Sequence, residues 1–66
     1  MNKLLLSVTF IDEDNNRKWS YDNVFKMETG IDTVMVWCSE IDCNRVYASQ
    51  RSEFTKIEFK VQERYL

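Results

Sequence analysis

Thr33-Val34-Met35-Val36-Trp37-Cys38 decides how the rest of the chain is read. Five of these six residues are apolar, and two valines, a threonine and a tryptophan favour extended backbone. The stretch is too short for a buried helix and has the length of a strand. A strand with one wet face alternates polar and apolar residues, so an unbroken run predicts a central strand covered on both faces. Trp37 is expected in the core on the same grounds.

Working outward, the N-terminal side offers three further strands. Lys3–Ile11 places Leu4, Leu6, Val8 and Phe10 on one face. The polar run Asp12–Asn16 is rich in turn formers, and Arg17–Tyr21 reads as the return strand of a hairpin. Tyr21-Asp22-Asn23 suggests another turn, leading to a strand over Val24–Thr29 in preference to a short helix from Asp22. Gly30 is the residue free to take a positive φ in the turn before the central strand.

On the C-terminal side, Ser39–Asp42 reads as a loop, Cys43–Ala48 as an antiparallel return, and Ser49–Ser52 as a polar break. The last segment alternates most clearly. Ile57, Phe59 and Val61 point one way and Lys56, Glu58, Lys60 and Gln62 the other. The apolar set is expected to pack inward, and the charged set to protect an edge from unwanted pairing. Together these readings predict an all-β fold, a small antiparallel barrel or sandwich of five to six short strands.

The chain has 66 residues, 44% of them hydrophobic and 14% aromatic, with no proline and one glycine. That composition is too apolar for a disordered tail and leaves no flexible linker, so a single domain over residues 1–66 is expected. Domains of this size have little core, and the apolar excess predicts homo-oligomerisation. The apolar N-terminal run is far shorter than the roughly 20 residues that span a bilayer. No small-residue cleavage site follows it, so a cytoplasmic protein without a membrane segment is expected.

Catalysis has little to work with. There is no histidine, the commonest acid–base group, and no glycine-rich phosphate loop. The carboxylate pairs Asp12/Asp14 and Glu40/Asp42 lie in expected loops. Asp12, Asp14 and Asn16 match the start of a calcium loop, but Arg17 stands where that loop needs glycine and Asn23 where it needs glutamate; a hairpin turn explains them. Cys38 and Cys43 would face each other across a hairpin, as reduced thiols or as a disulfide, and two thiolates without histidine do not close a zinc site. No catalytic residue, cofactor or metal is expected, and the chain is read as a non-enzymatic binder.

Charge is uneven along the chain. Residues 1–44 carry a net −4 and residues 45–66 a net +2. Arg45, Arg51, Lys60 and Arg64, with Tyr47 as a stacking ring, are candidate ligands for a small anion such as a nucleotide. The overall −2 argues against nucleic acid, whose binding is dominated by phosphate neutralisation. Trp19 and Tyr21 are candidate interface anchors, since hot spots favour these residue types.

Tyr21-Asp22-Asn23-Val24, the Gly30 turn, Val34-Met35-Val36, Arg45-Val46-Tyr47 and Ser52–Phe59 form a pattern that resembles small all-β proteins of bacteria and their phages, mostly uncharacterised. The resemblance implies an intracellular accessory protein, often dimeric, that acts by binding. Two functions follow as expectations. The first is a phage or mobile-element protein that inhibits a host protein stoichiometrically. The alternative is an oligomer that sequesters a small anionic ligand such as a nucleotide signal.

Overall fold

The computed structural model describes residues 4–65, with side chains through Gln62. Five strands form one antiparallel sheet: β1 (Leu4–Asp12), β2 (Arg17–Thr29), β3 (Thr33–Ser39), β4 (Asn44–Gln50) and β5 (Lys56–Tyr65). The order across the sheet is β4-β3-β2-β1-β5, and a single 3-10 turn at Arg51–Glu53 joins the two edge strands. The all-β expectation holds, with five strands in one sheet that does not close into a barrel.

The two strands expected over residues 17–29 are one. Tyr21-Asp22-Asn23 makes a bulge instead of a turn. While β1 advances from Leu6 to Val8, β2 advances from Val24 to Tyr21, one residue more. A second extra residue follows at once, because Val24 and Lys26 face Cys38 and Trp37, which are adjacent in β3. Successive bulges bend and twist a strand sharply. The N-terminal half of β2 pairs with β1 and its C-terminal half with β3, so the sheet folds on itself about residues 22–25.

Length forces the same conclusion. In a flat sheet β4 and β5 would lie four spacings apart, ~19 Å. One 3-10 turn and three extended steps reach only ~16 Å, so the edges must curl toward each other. The link is tied down along the way. Arg51 N donates to Asp32 O at 2.8 Å, and Thr55 N to Ile11 O at 2.7 Å.

The core lies in the resulting concavity: Val8, Phe10, Val24, Val34, Val36 and Cys38 are buried. Phe10 is its hub, with Trp19 stacked at 5.7 Å and Tyr21 and Phe54 edge-on at 5.8 and 5.0 Å. Trp19 Nε1 donates to the buried Ser49 Oγ at 3.0 Å, reaching from β2 to β4.

Three expectations are corrected. The stretch 33–38 is covered on one face only: burial alternates strictly along β3, Met35 and Trp37 are half-buried on the outer face, and Lys26 Nζ lies 4.5 Å from the Trp37 ring centre. A lysine, not a second layer, shields that side. Gly30 turns the chain without a positive φ; the left-handed residues are Asn16 (φ 54°) and Asn23 (φ 58°). Cys38 and Cys43 do not face each other, because Cys38 pairs with Arg45 and both thiols are free.

The Asp12–Arg17 turn is held by Asp12, whose carboxylate accepts from Asn15 Nδ2 at 2.8 Å and Arg17 Nη2 at 2.9 Å. The Asn15 and Arg17 hydrogen bonds hold its pKa below the ordinary carboxylate value. A carboxylate with a lowered folded pKa stabilises above its unfolded pKa, and that stability is lost as pH falls through the folded value. Thermal melts should therefore lose stability as pH drops below about 4, and Asp12→Asn should flatten that dependence. Phe10→Ala should cost about 3–5 kcal/mol. A chain this long holds only ~3–10 kcal/mol in total, so circular dichroism should find the variant largely unfolded at room temperature.

Candidate functional site

The bend in β2 leaves an opening on each side, and the two differ in chemistry. Beyond the Leu6–Val24 pair, β1 and β2 diverge. The gap is lined by Leu4, Leu6, Val8, Phe25, Met27 and Phe59 among others, around about 130 Å³. Of its lining, Leu4 is 42% and Phe59 55% exposed, and Val61, 52% exposed, pairs with Leu6 beside it. The inward packing expected of β5 therefore holds for Ile57, which meets the core, and fails for Phe59 and Val61. The cause is geometric: β2 bends away just where it would have covered them.

Backbone is open there as well. On its side away from β3, Phe25–Thr29 has no ladder partner among the described residues. An apolar floor beside a free strand edge is the geometry of β-strand addition.

On the other side of the bend, β2 and β3 separate beyond the Val24–Cys38 pair. This opening, about 380 Å³, is polar and aromatic, with Tyr21, Asp22, Cys38, Glu40 and Tyr47 in its wall. Tyr21 and Tyr47 stack at 4.8 Å. Glu40 accepts from Tyr47 Oη at 3.0 Å and pairs with Arg45 Nε at 2.8 Å. Ser7 Oγ donates to Asp22 Oδ1 at 2.8 Å. Burial, then the charges of Glu40 and Asp22, push the Cys38 thiol pKa up, and the hydrogen bond to Glu40 pushes the Tyr47 phenol up.

The residues expected to bind an anion are dispersed. Arg45 and Tyr47 meet beside Glu40 on β4. Arg51 lies at the far end of that strand, donating to Gly30 O at 3.2 Å. Lys60 sits opposite Ser7 on β5, the other sheet edge, and the Arg64 side chain lies outside the described residues. Trp19 and Tyr21, expected as interface anchors, turn their rings onto Phe10.

Sequence reasoning missed both openings, although the strict alternation of residues 56–62 had already named Phe59 and Val61. No helix among the described residues is long and apolar enough to cross a membrane, and no group of three or more acids or cysteines there could hold a metal ion. No family model, curated protein or solved structure matches the chain.

Thiol chemistry reports directly on this geometry. A thiol reagent should modify the exposed Cys43 rapidly in native protein and reach the buried Cys38 only on unfolding, because the thiolate is the reactive form. Mass spectrometry of partly labelled protein reads the order; equal rates at the two sites would contradict the described wall.

Proposed function

We propose that this chain is a non-enzymatic binding protein that engages a protein partner stoichiometrically, through an extended segment laid across the apolar opening. The observation that carries this reading is the coincidence of the exposed Leu4 and Phe59 in the wall of the opening, with Val61 beside Leu6, and the edge of Phe25–Thr29, unpaired among the described residues. The edge supplies backbone hydrogen bonds to any extended chain. Specificity comes from alternate side chains of that chain entering the gap. An inhibitor of a host protein needs no more than such a surface.

Sequestration of a small anion has weaker support. It needs several cations at one place, and Arg45, Arg51 and Lys60 stand far apart in the fold, with Arg45 already paired to Glu40.

Site-specific photo-crosslinking in the host cell tests the proposal. A photoreactive phenylalanine analogue at position 59 should give one discrete protein adduct. The same group at Lys18, exposed on the N-terminal half of β2, should give none. An adduct of twice the chain mass would identify the partner as a second copy, the oligomer expected from the apolar excess. Equal labelling from both positions, or none from either, would overturn the reading. Phe59→Ser with Val61→Ser should abolish the adduct of a probe at Met27 while shifting stability little, since exposed positions contribute little to folding.

A further inference from the structure

The polar opening is large enough to be a site in its own right. Its volume of about 380 Å³ falls within the range of small-molecule pockets, about 300–1,000 Å³. We propose that it binds an organic cation, an alkylammonium or guanidinium group, on the Asp22 and Glu40 carboxylates and the tyrosine pair. This site is independent of the apolar opening and stands or falls apart from it.

The wall selects the ligand by elimination. Neither lysine nor arginine lines it, while Asp22 and Glu40 do. An anion entering would meet the Asp22 carboxylate and, beside it, a Glu40 carboxylate offset only by the exposed Arg45. A purely apolar group would strip water from carboxylates and give nothing back, a costly exchange. A bare divalent ion needs about six or more oxygen ligands at close range, and the described residues gather no group of three acids or cysteines. A cation of low charge density with an apolar stem is the remaining class. Its charge meets carboxylate, and its stem and head meet the face of an aromatic ring.

Asp22 is partly free for this, while Glu40 is engaged at both oxygens. Asp22 has one oxygen on Ser7 Oγ, and its other oxygen has no partner among the described residues. Glu40 is held by Tyr47 and Arg45, which fixes its position at the rim. The Arg45 side chain is itself 60% exposed, and so screened a pair is weak and open to exchange with an incoming cation. Burial first, and then the charges of Glu40 and Asp22, raise the Cys38 thiol, and the hydrogen bond to Glu40 raises the Tyr47 phenol.

The cation could be a free amine or the side chain of a partner, and the same experiment distinguishes them. ¹⁵N-labelled protein is titrated with agmatine, which carries both groups, with a lysine- and arginine-rich hexapeptide, and with citrate as the anionic control. The expected result is saturable shifts of the amides of Tyr21, Asp22, Cys38 and Tyr47 with agmatine, the peptide or both, and none with citrate. Affinity should fall with added salt. Tighter binding of agmatine points to a free amine and of the peptide to a side chain. Asp22→Asn, which keeps an acceptor for Ser7 and so should fold, should weaken binding about tenfold, the loss of about 1.4 kcal/mol. Equal shifts with citrate, no saturation by either cation at about 1 mM, or full affinity in Asp22→Asn would each overturn the proposal.

Discussion

Asn23 sits at φ 58° in the middle of the longest strand, and much of the molecule depends on its staying there. A left-handed residue interrupts the pleat, lets β2 carry an extra residue against β1, and starts the bend that a second extra residue completes against β3. Asparagine accepts this conformation at less cost than most residues with a side chain. The amide exposed by the bulge is not left unpaired. Gln62 Oε1 accepts from Asn23 N at 2.6 Å, and Gln62 Nε2 returns a bond to Asn23 Oδ1 at 3.3 Å. One side chain of β5 thus reaches across β1 to clamp the bend in β2, linking the local backbone to the curl of the whole sheet.

The curl is what makes a core available to so short a chain. A flat five-stranded sheet would bury little of either face. Folded at β2, the same sheet brings Trp19 and Tyr21 to Ser49 and Tyr47 across the concavity, and Phe54 caps Phe10 from the link between the edge strands. Each aromatic pair contributes about 0.5–1.5 kcal/mol beyond its burial, so the cluster around Phe10 is a substantial part of the few kcal/mol available. Among the described residues the outer face has no second layer. Trp37 is left to a lysine, and Thr9 and Ser20 meet each other at 3.0 Å.

Much of this was legible in the residues. Alternation in residues 4–10 and 56–62 and turn chemistry at Asp12–Asn16 placed β1, the first hairpin and the start of β5 within a residue of their observed limits, while β5 runs three residues past Gln62. Most of what failed turned on how far layers and neighbours extend. Period-two patterning says which residues share a face, but not how far the opposing layer extends. Met35 and Trp37 were assigned cover that a single sheet does not provide. Phe59 and Val61 were assigned a core that the bend in β2 uncovers. The turn signal at Tyr21-Asp22-Asn23 was real as a change of direction, but a bulge and a turn share the same residues, and only the pairing of Leu6 with Val24 across it separates them. The basic residues of the C-terminal half are close in sequence and divided in space, because β4 and β5 are neighbours in the chain and opposite edges of the sheet.

A strand that changes partners halfway must leave an unpaired edge on each side of the exchange. Among the described residues those edges of β2 are Phe25–Thr29 on the β1 side and Arg17–Asn23 on the β3 side. Natural sheets usually cover such edges with loops or further strands, and the connections between the described strands are only a few residues each. The two edges also inherit different walls. The first faces the apolar side chains that β1 and β5 direct inward; the second faces the end of the β3–β4 hairpin, where Glu40 and Tyr47 stand. A fold with one bend therefore presents two dissimilar surfaces a few residues apart, and a change of angle at Asn23 would alter both at once. The adjacent residues Asn23 and Val24 line the polar and the apolar opening respectively.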